Sequence, residues 1–201
     1  VRRGIRRQMC ERINRGGCAI KQIKFKGKTM KIAIIGYSGA GKSTLAEKLS
    51  NYYSIPKLHM DTLQFQPGWQ DSDREWMLTE MKNFLTKHEA WVIDGNYSWC
   101  CYEERMLEAD QIIFLNFSPW TCLFRAFKRY LTYRGKVRES MATGCPERFD
   151  WDFIRWILWD GRTKNAKERY QRVQETYPDK VIVLRSQNCL LYTSDAADEE
   201  D

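Results

Sequence analysis

The sequence predicts an α/β fold in which a parallel β-sheet is flanked by helices. Five short apolar runs favour this class, because each run is hydrophobic on both sides, as in strands buried within a parallel sheet. The segments between the runs have helical spacing or loop composition, and this alternation is typical of right-handed β–α–β units. The five predicted strands are 31–35, 57–60, 91–94, 111–116 and 180–184.

Helices are predicted between these strands from capping residues and apolar spacing. One helix begins at Lys42 and ends near Tyr52. A second covers 74–86, with Ser72 or Asp73 as its N-cap. Its apolar residues recur near helical spacing and are expected in the core: Trp76, Met77, Met81, Phe84 and Leu85.

A long insertion, rich in basic and aromatic residues, separates the fourth and fifth strands. Helices are predicted at 119–132 and 151–176, and the segment 134–150 between them has an irregular pattern. Three tryptophans of the second helix favour core packing, although such rings also stack on nucleobases. They are Trp151, Trp156 and Trp159.

The composition is that of one globular domain, with 201 residues of which 43% are hydrophobic. The seven cysteines lack the spacing of a zinc site, so reduced thiols in the cytoplasm are expected. The apolar runs are far shorter than the roughly 18 residues of a membrane-spanning helix. No membrane segment is therefore predicted.

Both ends of the chain differ in composition from the rest. Residues 1–29 hold ten of the 33 Lys and Arg residues and one acid, and are interpreted as a non-native upstream extension. A nucleic-acid arm and a transit peptide are the alternatives. Residues 189–201 resemble a translated sequencing adapter, so the domain is expected over 30–188. The net charge of +7 is then weak support for nucleic-acid binding.

A phosphate-binding motif follows the first predicted strand. Gly36 to Ser43 fit the pattern G-x-x-x-x-G-K-S/T and open a predicted helix. The glycines let successive backbone N–H groups face phosphates at the positive end of that helix. Lys42 is expected to reach the β- and γ-phosphates of ATP, and Ser43 to bind Mg²⁺. The residues predicted to hold the nucleotide are Gly36, Ser38, Gly39, Ala40, Gly41, Lys42, Ser43 and Thr44.

Two carboxylates follow strands at the same edge of the predicted sheet, which is where ligands bind in such folds. Asp94 ends the third strand and is expected to hold Mg²⁺ directly or through water, with a turn-forming Asp-Gly as the alternative. Asp61 follows the second strand. It is a candidate for orienting or deprotonating an acceptor hydroxyl, with a helix-capping or structural role as the alternative.

Arginines of the insertion favour phosphoryl transfer, because the charge on a migrating phosphoryl group needs cations. Arg125 and Arg129 lie four residues apart on one helical face, while Arg134 and Arg138 enter the irregular segment. Each alone is compatible with a surface charge, but together they indicate a lid at about 134–150. Catalytic roles are predicted for Lys42, Asp61, Arg129, Arg134 and Arg138.

Four segments of the chain carry a resemblance to a known family: the phosphate-binding motif, His59-Met-Asp61, Trp91-Val-Ile-Asp-Gly-Asn-Tyr97 and Gly144-Cys-Pro-Glu-Arg-Phe149. Together they resemble the bacterial DNA topology modulation protein family, which is similar to adenylate and shikimate kinases. The resemblance implies a P-loop NTPase sheet in the strand order 2-3-1-4-5, with 134–150 as the lid. It also implies that Arg125 approaches the adenine and that Asp61, Gly95, Asn96 and Tyr97 line the acceptor site. An arginine that follows the third strand in adenylate kinases is absent here, which weakens the case for a nucleoside monophosphate acceptor.

The sequence therefore predicts an ATP-binding, Mg²⁺-dependent, kinase-like phosphotransferase. Its acceptor is expected to be a small nucleotide-like or hydroxyl-bearing molecule, and the protein a monomer or homodimer. The alternative is a nucleic-acid-associated ATPase or regulator that affects DNA topology, although no helix-turn-helix or zinc-finger pattern is evident. A GTPase is disfavoured because Thr163-Lys164-Asn165-Ala166 lacks the aspartate of a guanine-binding motif.

Overall fold

The computed structural model describes residues 30–186. The predictions made for 1–29 and 189–201 fall outside the described residues. The strands, in chain order, are β1 (Lys31–Gly36), β2 (Lys57–His59), β3 (Phe65–Gln66), β4 (Gln70–Asp71), β5 (Trp91–Asp94), β6 (Gln111–Leu115) and β7 (Val181–Leu184). The helices are α1 (Lys42–Tyr53), α2 (Met60–Gln64), α3 (Arg74–Lys87), α4 (Tyr102–Glu108), α5 (Pro119–Tyr133), α6 (Trp151–Leu158) and α7 (Lys164–Thr176).

Five strands form one parallel sheet in the order β2-β5-β1-β6-β7. The predicted α/β class and strand order are confirmed. β1 lies at the centre, and its residues 32–35 are buried on both faces, as its continuous apolar sequence requires. The register aligns Ile34 with Asp94 and His59 with Asp94, so the carboxyl ends of β1, β5 and β2 meet at one edge.

The helix α3 shows how local sequence positions a buried face. The side chain of Asp73 caps the helix by accepting a hydrogen bond from Trp76 N at 2.8 Å. Met77, Met81 and Leu85 recur every four residues and are buried. Trp76 is 46% exposed because it lies about 100° around the helix from Met77, so its expected place in the core is wrong.

The predicted continuous helix over 151–176 is also wrong. A turn of 3₁₀-helix at Asp160–Arg162 separates α6 from α7, and Thr163 caps α7 by accepting from Ala166 N at 3.3 Å. The buried side of α6 is that of Ile157, with Phe153 and Ile154 half-buried beside it. Trp151 and Trp156 lie outside that face and Trp159 follows the helix, so the three rings are 69%, 49% and 59% exposed, and their predicted core packing is wrong.

The segment 134–150 contains neither helix nor strand, as its sequence predicts, and part of it packs on the hairpin formed by β3 and β4. Met141, Ala142 and Cys145 form a small buried cluster with Phe65 and Trp69 of that hairpin. Gly68 N also donates a hydrogen bond to Gly144 O at 3.1 Å. The two-residue strands of the hairpin and the short helices α2 and α4 are too brief to show periodicity, so the sequence did not predict them.

Within residues 30–186, no helix is both long enough and apolar enough to cross a bilayer. The four cysteines of that range, Cys100, Cys101, Cys122 and Cys145, are all free thiols.

Gly36 ends β1 in a conformation and packing that exclude a side chain. Its φ is 143°, and a Cβ there would lie 2.5 Å from the carbonyl oxygen of Leu115 on β6. Gly68, in the hairpin turn, also has a positive φ, of 78°, but a Cβ there would meet nothing within 4 Å.

We expect Gly68→Ala to cost roughly 1–2 kcal/mol of unfolding free energy from the left-handed backbone alone. Gly36→Ala should cost a further 1–3 kcal/mol because the central strands must separate. Urea unfolding of both variants at 25 °C measures the difference. Equal losses would contradict the close packing of Gly36 on β6.

Candidate active site

A cleft of about 740 Å³ lies at the carboxyl edge of the sheet. The phosphate-binding loop, the start of α2, the loop after β5, α5 and the segment 134–150 all contribute to its walls. The sequence-predicted residues that line it are Ser38, Gly39, Gly41, Lys42, Ser43, Thr44, Asp61, Asp94, Gly95, Asn96, Tyr97, Arg125, Arg129 and Arg138. Parallel strands therefore bring together residues that are more than 90 positions apart in sequence.

The phosphate-binding loop is held against α5. Gly39 has φ 77°, and a Cβ there would lie 2.5 Å from the carbonyl oxygen of Cys122. Arg125 Nη1 donates a hydrogen bond to the carbonyl oxygen of Ala40 at 2.9 Å, and its guanidinium lies 5.1 Å from the ring centroid of Phe117. The first turn of α5 thus supports the outer side of the loop.

Lys42 lies at the start of α1, where its Nζ donates to the carbonyl oxygen of Tyr37 at 3.3 Å. Burial lowers the pKa of Lys42, while the charges of Asp61 and Asp94 oppose that shift. The ammonium group is therefore set between the loop backbone and the two carboxylates. A bound phosphate would give the Lys42 ammonium group an anionic partner that the phosphate-binding loop itself does not provide.

Asp94 joins three elements through its two carboxylate oxygens. Ser43 Oγ donates to Oδ2 at 2.8 Å, and His59 Nδ1 lies 2.5 Å from Oδ1. The sequence analysis gave His59 no role of its own. Its place near the end of the second predicted strand was a signal, whereas its register with Asp94 is visible only in the structure.

The oxygen donors of Ser43 and Asp94 fit Mg²⁺, which prefers hard oxygen ligands and usually keeps water and phosphate in its remaining positions. The described part of the chain holds no group of three or more His, Cys, Asp and Glu residues suited to a metal. One carboxylate and one hydroxyl are what a metal bound together with phosphates requires.

Asn96 supports the loop rather than presenting its amide to the cleft. Its Oδ1 accepts from Gly36 N at 3.1 Å, and its Nδ2 donates to Gly36 O at 2.5 Å. Asn96 lines the cleft, but both polar groups of its side chain are engaged by Gly36. The structure thus gives this residue a positioning contact with the loop, and its expected contact with the acceptor stays a prediction.

The loop that follows β5 is braced from behind by Arg105, which the sequence analysis missed. Arg105 is fully buried, and its Nη1 and Nη2 donate to the carbonyl oxygens of Gly95 at 3.4 Å and Tyr97 at 3.2 Å. No salt bridge to it is present within 30–186. Burial lowers the pKa of Arg105 to about 10.

Asp61 and Tyr97 form a pair in the cleft, as their predicted shared site requires. The Tyr97 hydroxyl donates to Asp61 Oδ1 at 2.7 Å. Burial, reinforced by the charge of Asp61, raises the pKa of Tyr97. The phenol therefore remains a donor at neutral pH and fixes the orientation of the Asp61 carboxylate.

The lid arginines are organised by a carboxylate that the sequence analysis did not single out. Glu147, whose side chain is 3% exposed, accepts from Arg129 Nε at 2.9 Å and from Arg138 Nε. Arg138 Nη1 also donates to Ser140 Oγ at 2.8 Å. Arg134 does not join them, because it caps the exposed end of α5 and is absent from the walls of the cleft.

Two further features lie beside the loop. The indole Nε1 of Trp156 donates to Ser38 Oγ at 3.0 Å, so this exposed ring reaches the rim of the cleft. A second cavity of about 620 Å³ shares Tyr37 with the cleft and is also lined by Asn116, Arg162 and Arg185. The guanidinium of Arg162 lies 3.8 Å from the ring centroid of Tyr37.

One of the solved structures that match this chain is a gluconokinase from Sinorhizobium meliloti 1021. It is 14% identical in sequence, has a TM-score of 0.43, and is matched over 88% of this chain and 100% of its own. No protein-family model and no curated protein matches the chain. The strand order and the glycine-rich loop after β1 are those of the predicted P-loop NTPase fold, whereas the resemblance to the DNA topology modulation family stays a prediction.

We expect Glu147→Ala to lower the free energy of unfolding by about 3 kcal/mol, because it leaves two largely buried guanidinium groups without their shared anion. Arg155→Ala is the matched control. It breaks an exposed pair with Asp160 and should cost less than about 1 kcal/mol. Urea unfolding compares the two, and a loss for Glu147→Ala no larger than that of the control would contradict the organising role of Glu147.

Proposed function

We propose that the protein is a kinase-like phosphotransferase that moves the γ-phosphoryl group of ATP to a hydroxyl of a small acceptor, with Mg²⁺. One observation carries this proposal. A single cleft holds a phosphate-binding loop with Lys42, a Ser43–Asp94 pair suited to Mg²⁺, and Asp61 as a carboxylate that can accept a proton. Simple nucleotide binding would need the first of these but not the last.

In the proposed reaction, the acceptor oxygen attacks the γ-phosphorus and forms a new P–O bond. The bond from that phosphorus to the β–γ bridging oxygen breaks, and its electron pair leaves with ADP. Asp61, oriented by the Tyr97 hydroxyl, takes the acceptor proton. Lys42, Arg129 and Arg138 stabilise the charge on the transferring group. Ser43 and Asp94 hold Mg²⁺, which neutralises phosphate charge when bound.

The nucleotide base is proposed to occupy the second cavity, beside Tyr37. Asn116 there offers an amide that can read a base edge, and Arg162 already stacks on the Tyr37 ring. The sequence analysis expected Arg125 to approach the adenine. Its contacts with Ala40 and Phe117 favour a position along the phosphates and the loop instead.

A second candidate is an ATPase that acts on nucleic acid, and the outer face of α5 favours it. Trp120, Phe124 and Phe127 are exposed along that face, and residues 119–138 contain no acidic residue. Exposed rings with positive charge are typical of single-strand binding surfaces. ATP turnover that rises with added DNA and needs no small acceptor would favour this candidate.

We expect Lys42→Ala to weaken Mg-ATP binding at least tenfold, equivalent to ~1.4 kcal/mol. Its melting temperature should change little, since the ammonium group makes a single hydrogen bond within residues 30–186. Lys48→Ala is the matched control, an exposed lysine on the same helix. Calorimetric titration with Mg-ATP gives both affinities. Equal affinity for Lys42→Ala and the unaltered protein would contradict the nucleotide site.

We expect Asp61→Asn to lower ATP-dependent phosphorylation by roughly 10²–10⁴-fold, because the amide still accepts from Tyr97 but cannot take a proton. ATP affinity should stay within about threefold. Tyr97→Phe, which removes only the orienting hydroxyl, should lose much less turnover. If Asp61→Asn retains turnover close to that of the unaltered protein, Asp61 is not the base.

A further inference from the structure

The acceptor half of the cleft, away from the phosphate loop, is lined by two pairs of aromatic rings. Phe65 and Trp69 of the hairpin meet edge to face at 5.2 Å, and Tyr97 and Trp99 of the loop after β5 meet at 6.5 Å. All four rings line the cleft and are only half-buried. Trp69 has φ 63°, which is uncommon for a residue with a side chain and indicates a ring held in place at some backbone cost. A flat ligand gains contact area from such walls.

Gln64, which lines the same cleft, carries a buried hydrogen-bond acceptor without a partner in the described residues. Gln64 lines the cleft, and its Nε2 donates to Asp71 Oδ1 at 2.9 Å, which fixes the orientation of the amide. Its Oε1 is buried and has no hydrogen-bond partner within residues 30–186. Because a buried carbonyl without a donor is unfavourable, the site calls for an N–H or O–H group supplied by the ligand.

The charges of this half favour a neutral acceptor. Arg129 and Arg138 share Glu147, and Arg148 pairs with Asp150 at 2.7 Å while its guanidinium lies 5.2 Å from the Trp69 ring. The arginines that the segment 134–150 contributes to the walls of the cleft, Arg138 and Arg148, therefore each have a carboxylate partner. Three cations of the cleft have no carboxylate partner within the described residues. They lie in the phosphate-binding loop, α5 and α7, and are Lys42, Arg125 and Arg169.

We propose that the acceptor is a neutral, hydroxyl-bearing planar heterocycle of the nucleoside class, phosphorylated on its hydroxyl. The aromatic rings pack against the flat heterocycle, and Gln64 Oε1 accepts a hydrogen bond from an N–H or O–H group on the edge of that heterocycle. Asp61 receives the proton of the acceptor hydroxyl. The inference rests on the kinase activity proposed above and narrows its substrate. A monophosphate acceptor would place a second phosphate beside Asp61 and Glu147, and an acyclic polyol would leave the rings without a partner.

The test uses the full chain with Mg-ATP and three matched sets of acceptors: nucleosides, their 5′-monophosphates, and polyols with gluconate. ADP release and phosphorus NMR of the products measure transfer. We expect at least one nucleoside to be phosphorylated with a kcat/KM at least tenfold above its own monophosphate and above every polyol. A monophosphate or polyol as the best acceptor, or no transfer to any nucleoside, overturns the proposal.

Variants separate this inference from the proposed function. Gln64→Leu and Trp99→Leu should each raise the KM for the preferred nucleoside tenfold or more while the Kd for Mg-ATP stays within threefold. Trp76→Leu is the control, because that exposed tryptophan lies outside the cleft. Failure of Mg-ATP to bind the unaltered protein would overturn the kinase function itself. Transfer that is insensitive to Gln64→Leu and Trp99→Leu would overturn only the nucleoside assignment.

Discussion

The whole site depends on the burial of β1 between two parallel neighbours. Pairing with β5 on one side and β6 on the other sets the height at which each strand ends. Gly36 therefore turns into the phosphate loop next to Asp94 and against Leu115, without room for a side chain. If β1 paired with its neighbours one residue out of register, the side chains on its two faces would exchange sides. The phosphate-binding loop would then no longer lie next to Asp94.

Around that frame, two acids of the cleft each hold two partners. Asp94 is shared by Ser43 and His59, and Glu147 is shared by two arginines. Arg105 instead holds two backbone carbonyls of the loop after β5. These contacts restrict the side chains before any ligand arrives, and a site ordered in advance loses less entropy on binding.

The sequence predicted the strands, the phosphate loop and the carboxylates at the sheet edge, because each has a local signal: apolar runs, glycine spacing, or an acid directly after a strand. It did not predict the roles of His59, Arg105 and Glu147, which arise from contacts between distant segments. Asn96 shows the same limit, since its position in the loop was foreseen but its bonds to Gly36 depend on strand pairing. The continuous helix over 151–176 was predicted because the break before Thr163 has no strong breaker residue apart from Gly161. The tryptophans of 151–159 were misplaced because the short helix α6 buries the side of Ile157 instead of theirs.

The cluster that joins Met141, Ala142 and Cys145 to the hairpin has a consequence for the order of events in a catalytic cycle. It is small, so its separation requires far less free energy than unfolding of the sheet, and such local openings occur on the microsecond to second timescale. The acceptor rings of Phe65 and Trp69 belong to the same cluster. If the proposed reaction takes place there, a bulky product resting on these rings would leave when the cluster opens, so the packing at Met141 would govern the rate of product release rather than that of bond formation.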